Sequence, residues 1–367
     1  MSETETLVEV NNLQVQFDVR DGIVKAIDGA NFVIKRGQTL GVIGESGCGK
    51  SMTAKAIMNM VPKPGKIVGG EIIYHRRLGG NGVSEHVEEV RITELDPDGD
   101  EIRKIRGGEI AMIFQEPMSS LTPVYSAGTH IWEAVSLHRL MPIQKVGSQM
   151  ADAIQEYRKV TKKEAREIAI EMLQKVGIPK PAERVDNFPH QLSGGQRQRV
   201  MIAVALSSQP TMLIADEPTT ALDVSIEAQI LDLMRELQET VDMTILFITH
   251  NLGVVAEMAD EICVMYMGKI VERADVVSAF YEPKHPYTQA LLQSIPKIGK
   301  KKIEGRLASI EGMVPDPFNL PSGCLFRPRC PQFKPGICDQ SSPAWTTLGE
   351  TQWVSCFLYQ DGRSGRW

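Results

Sequence analysis

The stretch Gly44-Glu45-Ser46-Gly47-Cys48-Gly49-Lys50-Ser51 fits the spacing G-x-x-x-x-G-K-[ST]. Glycines so placed let the backbone curl until its N–H groups point at a polyphosphate. The lysine can reach β- and γ-phosphates, and the hydroxyl can ligate Mg²⁺. Gly44 to Ser51 are therefore candidate phosphate-binding residues, with Met52 continuing into the element that follows. Phosphoryl chemistry also needs an acid that holds the metal and a group that orients water. Asp216 ends the apolar run Met212-Leu213-Ile214-Ala215, and Glu217 follows it. Asp216 is the candidate for the metal shell, directly or through water, and Glu217 for polarising the attacking water. Gln115, at the end of the run Ile110 to Phe114, could touch Mg²⁺ or water, and His250 could hydrogen-bond a γ-phosphate.

These residues need elements that hold them at strand ends. Thr39 to Ile43 reads as a buried strand running into the phosphate-binding loop, and Ser51 to Met60 as a helix whose N-terminus attracts anions. Leu7 to Phe17 alternates as a half-buried strand does, and Val24 to Ile34 looks like a second. Phe17 is a candidate to stack on a base; its other reading is strand core. Ile110 to Phe114, Met212 to Asp216 and Thr244 to Thr249 read as further strands. Glu261 to Glu272 reads as a hairpin turning at Met267-Gly268. Helices are predicted through much of 128–177, clearest over Glu164 to Val176 with Gly177 as C-cap, then from Ser193 through Leu206, and over Ser225 to Val241. Strands alternating with helices imply an α/β domain around a largely parallel sheet. Residues 78–106 are rich in turn formers and read as a surface insertion with a hairpin tip at Asp98-Gly99. Lys297 to Gly305 reads as a linker, and the proline-rich tail beyond it shows little periodicity.

Bulk properties narrow the classes. A chain of 367 residues, 42% hydrophobic and 23% charged, has ordinary globular composition and room for two domains. A net charge of −6 gives no general basic field for nucleic acid. The acidic N-terminus lacks the apolar core of a secretory signal, and no stretch reaches eighteen apolar residues. The expectation is a cytosolic protein whose six cysteines are thiols or metal ligands, not structural disulfides.

The run Leu192-Ser193-Gly194-Gly195-Gln196 carries a resemblance. With the P-loop (Walker A), Gln115, Walker B Met212 to Asp216, Glu217, Ala221-Leu222-Asp223 and His250 in this order, the chain resembles the nucleotide-binding subunit of an ABC transporter. Ser193 opens a helix and, with Gly194, Gly195 and Gln196, would present a hydroxyl and backbone N–H groups to a phosphate. The resemblance implies that this motif completes the P-loop of a facing subunit, with Asp223 helping to bridge the two sites. It implies an α/β P-loop NTPase (RecA-like) core with a mainly parallel sheet, an antiparallel β subdomain, an α-helical signature subdomain and a small irregular Cys-containing C-terminal extension. The ATPase domain would span 1–295, its helical subdomain about 117–205, and the linker and extension 296–367.

Gln115-Glu116-Pro117-Met118, His285-Pro286-Tyr287-Thr288-Gln289-Ala290-Leu291-Leu292 and the tail from Val314 through Cys330-Pro331 look like the oligopeptide/dipeptide uptake subfamily. Two departures stand out: the insertion within 78–106 is longer than usual, and Thr122 stands where Asn is expected. The resemblance implies an ATP-hydrolysing importer subunit using ATP and Mg²⁺. It would lie at the cytoplasmic face of the inner membrane with a second, related ATPase, two membrane permeases and an extracytoplasmic solute-binding protein. The transported solute is not encoded here; similar members also import nickel and sugars. A rival reading is a soluble ABC ATPase of nucleic-acid repair or translation. Against it stand the single P-loop, the single LSGGQ and the acidic balance.

Cys324, Cys330, Cys338 and Cys356 follow C-x₅-C-x₇-C-x₁₇-C. By spacing they could hold an iron–sulfur cluster or Zn²⁺, or be free thiols. The subfamily resemblance implies a [4Fe–4S] cluster, which would supply folding energy to a tail with little core of its own. Cys48 and Cys263 read as non-ligands.

Overall fold

The protein is described from a computed structural model over residues 5–80, 83–114, 144–220, 222–294 and 310–360. Gln115, Thr122, the start of the expected helical stretch, Ala221 and the expected linker lie outside the described residues. Two compact units divide the chain. One is built on Lys35–Gln38 and Glu94–Ile248, the other on Thr6–Ile34, Thr39–Thr93 and the residues from Thr249 onward.

In the second unit, β1 (Thr6–Val19), β2 (Gly22–Lys35), β4 (Gly65–Gly80) and β5 (Val83–Arg91) form a four-stranded sheet in the order β2-β1-β4-β5, whereas β3 (Thr39–Ile43) joins a different sheet. The β1/β4 and β4/β5 pairs are antiparallel. On β1, the expected alternation places Val8, Val10, Leu13 and Val15 in the core, with a register shift after Asn11. The expected hairpin in 78–106 exists, but its tip is not Asp98-Gly99. Gly80 pairs with Val83, so the hairpin is the one between β4 and β5. The polar run at 96–99 instead leads into a helix. The Gly99 N–H donates to the Asp96 carbonyl at 2.9 Å, and Gly99 precedes the helix Asp100–Ile105.

In the first unit, β6 (Ile110–Ile113), β7 (Met212–Asp216) and β8 (Thr244–Ile248) run parallel, with Ile110 beside Met212 and Met212 beside Thr244. All their residues are buried, as suits strands covered on both faces. The helix expected from Glu164 runs over Lys162–Lys175. It opens on a capping box in which Thr161 and Glu164 satisfy each other's backbone N–H groups, and Gly177 follows at φ +69°. The helices Gly194–Ser207 and Val224–Val241 match their expected positions within one residue.

The second unit's other strands are β3, β9 (Glu261–Tyr266), β10 (Lys269–Asp275), β11 (Trp345–Thr347) and β12 (Trp353–Ser355), in the order β11-β12-β10-β9-β3. β3 and β9 are parallel, and the remaining neighbours antiparallel. The β9–β10 turn falls at Met267-Gly268 as expected, both at positive φ, +47° and +78°. β11 and β12 were not expected; three residues are too few to show a period. They bring the tail onto β10, and Phe326 enters one core cluster with Ile43, Val264, Tyr266 and Tyr287. The tail therefore shares the unit's core and does not have to build its own.

Candidate functional site

The phosphate-binding loop begins where β3 ends. Gly44, Gly47 and Gly49 hold φ of +154°, +79° and +109°. A Cβ on Gly44 would sit 2.2 Å from the Met265 carbonyl oxygen, and one on Gly49 would sit 2.5 Å from that of Ala26, so neither position admits a side chain. Gly47 has nothing within 4 Å and faces open space. Lys50 curls over the loop, its Nζ donating to the carbonyls of Gly44 at 2.7 Å and Glu45 at 3.0 Å. Cys48 is buried. Desolvation raises its thiol despite the nearby Lys50, whose Nζ lies 3.7 Å from Cys48 Sγ. The Cys48 carbonyl accepts from the Gly268 N–H at 2.8 Å, tying the β9–β10 turn to the loop. Ser51 and Met52 are half-buried in the first turn of the helix Lys50–Ile57. A polyphosphate fits this cradle: three glycines at positive φ, a helix N-terminus and a lysine whose resting partners are two carbonyls and the Cys48 sulfur. Phe17 pairs with Gly65 across β1/β4, and its half-buried ring fills the space a side chain on Gly65 would need.

In the first unit, Asp216 closes β7 and is buried at 3% exposure. Glu217 follows at φ +49°, and its N–H donates to the Ile248 carbonyl at 2.8 Å. Non-glycine residues seldom adopt this backbone, and such strain collects at functional positions. Ser193 caps the helix Gly194–Ser207 through a reciprocal box. The Gln196 N–H donates to Ser193 Oγ at 3.3 Å, and the Ser193 N–H to Gln196 Oε1 at 3.0 Å. Capping accounts for the serine and the glutamine but not for Gly194, which lies exposed with nothing within 4 Å of a built Cβ. Glycine in a helix costs about 1 kcal/mol relative to alanine, and no steric need here offsets it. Asp223 is exposed and precedes the helix Val224–Val241, whose first residue, Val224, is 83% exposed. His250 is exposed two residues after β8.

Sequence reasoning missed the groups that hold Glu45. Its N–H donates to the Tyr287 hydroxyl at 2.8 Å, and its carboxylate receives Arg329. Both residues lay in stretches quoted only for family resemblance. Nothing in local spacing signals contacts across 242 and 284 positions.

The expected iron–sulfur cluster does not hold. Cys324, Cys330, Cys338 and Cys356 line one cavity, but its volume is about 20 Å³, room for about one water molecule. Burial raises the thiols of Cys324, Cys330 and Cys356, the last to about 11. Among the described residues, no group of three or more His, Cys, Asp or Glu could hold a metal ion, so zinc at these cysteines fares no better. Cys324 and Cys330 pack against the apolar core cluster, as small hydrophobic residues do.

A P-loop at the end of one buried strand, an acidic pair closing another and a capped LSGGQ helix define an ABC-type ATPase. The family profile described as ABC transporter matches residues 27–220, and that of the oligopeptide/dipeptide transporter C-terminal region matches 271–338. The chain belongs to the ATP-binding subunits of ABC transporters, in the oligopeptide/dipeptide branch. It is 44% identical to the oligopeptide transport ATP-binding protein AppD of Bacillus subtilis (strain 168), over 97% of this chain and 98% of that one. It is 42% identical to the dipeptide transport ATP-binding protein DppD of Escherichia coli (strain K12), over 95% and 96%. Among solved structures it is similar to the dimeric post-hydrolysis state of the ATP-binding cassette MJ0796 bound to ADP and Pi. That similarity has a TM-score of 0.59 and 25% identity, and covers 74% of this chain and 99% of that one. The names of these relatives describe ATP-binding proteins and mention no iron–sulfur cluster.

Proposed function

We propose that this chain is the ATP-hydrolysing subunit that energises import of peptides or similar small solutes across the cytoplasmic membrane. The observation that carries the reading is the glycine-curled loop Gly44–Ser51 with Lys50 folded over it, in a chain whose relatives along nearly their full length are named for oligopeptide and dipeptide transport. Those names lend no support to a role in nucleic-acid repair or translation.

In this reading Gly44 to Met52 receive the phosphates, and Phe17 stacks on the base. Lys50 neutralises the β- and γ-phosphates. Ser51, Gln115 and Asp216 face the metal, Glu217 orients water, and His250 holds the terminal phosphate in place. Bound ATP supplies the transferable phosphoryl group, and Mg²⁺ neutralises the charge that develops on it. Ser193 to Gln196 serve the P-loop of a facing ATPase subunit, and the exposed, uncrowded Gly194 supports this. Asp223 bridges the two sites. The ATPase domain is 1–295, and 296–367 form the linker and extension.

Membrane permeases and a solute-binding protein complete the importer. The facing ATPase is a related but distinct subunit, and nucleic acid is no partner. Among the described residues no helix is long and apolar enough to cross a membrane, in keeping with a peripheral place on the cytoplasmic face reached through the permeases. The test is solute-stimulated ATP hydrolysis by the complex reconstituted in vesicles. Lys50→Ala in this chain should abolish it, and stimulation that survives Lys50→Ala would overturn the reading.

A further inference from the structure

Glu45 is the one acidic side chain within the phosphate-binding loop. A carboxylate there opposes the charge the loop has to receive. The structure cancels it from the far end of the chain. Arg329 forks onto Glu45, Nη1 to Oε2 at 2.6 Å and Nη2 to Oε1 at 2.9 Å. The Arg329 side chain is 3% exposed and that of Glu45 26%, so water screens the pair poorly. Arg329 is itself anchored. Its Nε donates to the Glu311 carbonyl at 3.3 Å, and its guanidinium lies 6.0 Å from the Tyr266 ring centre.

The backbone of Glu45 is held as well. Its N–H donates to the Tyr287 hydroxyl, and its carbonyl accepts from Lys50. Tyr287 packs against Tyr266 and Phe326, with ring centres 4.7 and 5.4 Å away. Side chain and main chain of one loop residue are thus fixed by the C-terminal region, and the same residue carries a resting partner of the P-loop lysine. A buried ion pair needed only for stability has no reason to sit on the loop that binds anions.

We propose that Arg329 is a positioning residue of the nucleotide site: it neutralises Glu45 and, with Tyr287, holds the P-loop in its phosphate-receiving curl. This rests on the reading that Gly44–Ser51 binds the phosphates of ATP. Removing the guanidinium leaves an uncompensated carboxylate facing the triphosphate, so the loss should be one of charge and should be relieved by neutralising Glu45.

The test measures the ATP Kd of the purified full-length chain, alongside thermal unfolding without nucleotide. Arg329→Met should raise Kd about tenfold, because a poorly screened charge is left unpaired. Arg329→Lys keeps the charge but loses the fork, and should raise it about threefold. Adding Glu45→Gln to Arg329→Met should bring Kd back to within about threefold of the parent. A Kd for Arg329→Met within about twofold of the parent, or a double variant binding no tighter than Arg329→Met, would overturn the proposal. If Arg329→Met does not fold, Arg329→Lys and the double variant decide it by the same comparison. Lys50→Ala tests the underlying reading separately: lost ATP binding supports the loop as the phosphate site, and unchanged binding overturns it whatever Arg329 does.

Discussion

The backbone N–H of Glu217 donates to the carbonyl of Ile248 at 2.8 Å and so pins a glutamate at φ +49°. The bond joins the end of β7 to the end of β8 and fixes where the carboxylate leaves the chain. Holding a non-glycine residue there costs on the order of 1–3 kcal/mol. Two substitutions separate that cost from its use. Glu217→Gln keeps the shape and removes the carboxylate proposed to orient water. Turnover of the assembled importer should fall by about 10²–10⁴-fold, while ATP remains bound. Glu217→Gly relieves the backbone and should unfold at equal or higher denaturant concentration, yet be as inactive. Normal turnover in either variant would refute the assignment of Glu217.

Gly194 offers the same kind of separation on the signature helix. An alanine there meets no atom within 4 Å and improves helix propensity. Gly194→Ala should stabilise the isolated chain slightly, by up to about 1 kcal/mol, but lower importer turnover if a facing subunit's nucleotide must approach the bare backbone. Ser193→Ala removes the cap and should cost about 1 kcal/mol in the isolated chain. Denaturant unfolding and reconstituted ATPase assays, run on both variants, check the pair. If Gly194→Ala leaves turnover unchanged, the glycine has no contact role.

What could be read from sequence and what could not divide along physical lines. β3, β7 and β8 were legible because strands covered on both faces are continuous apolar runs, and the P-loop because its chemistry demands fixed spacing. The Met267-Gly268 turn announced itself by Gly268, which tolerates positive φ at no steric cost. The hairpin in which Gly80 pairs with Val83 was missed because the more polar run at 96–99 drew the expectation away. β11 and β12 were invisible because three-residue strands have no period and β12 is held by β10, which lies about eighty positions earlier in the chain. The cysteine spacing allowed a cluster, zinc or free thiols, and only the small cavity and the lack of a metal-holding group among the described residues separate these. Arg329 and Tyr287 were illegible as site residues, because a salt bridge across 284 positions leaves no local pattern.

Phe326 tests whether the tail shares the second unit's core. It is 1% exposed and meets the Tyr266 ring edge-on at 5.3 Å between centres. Phe326→Ala should cost about 3–5 kcal/mol in urea unfolding of the full chain. If the tail were a separate appendage, the main transition would not move. A main transition that stays put while a small early one appears would refute the shared core.

His285 gives the chain a defined acid response. It is 1% exposed, its Nδ1 accepts from the Tyr287 N–H at 3.0 Å, and its ring lies 5.8 Å from that of Phe326. Burial lowers its pKa from the usual 6.5 to about 3. The folded protein therefore keeps the ring neutral where the unfolded chain would protonate it. Stability is fully present above the unfolded value of 6.5, is lost progressively as pH falls below it, and the loss levels off near the folded value of about 3. Within that window one proton contributes a slope of about 1.4 kcal/mol per pH unit. Nearby Glu272 works in the opposite sense. Burial raises its carboxyl despite hydrogen bonds from the Lys284 and His285 N–H groups, so its protonation offsets part of the loss as pH falls. The comparison that isolates His285 is His285→Gln, which retains an acceptor for the Tyr287 N–H. Its urea midpoint should be lower than the parent's at pH 7.5, and it should fall less steeply between pH 6.5 and 4. Equal slopes for parent and variant would show that the imidazole is not the titrating group.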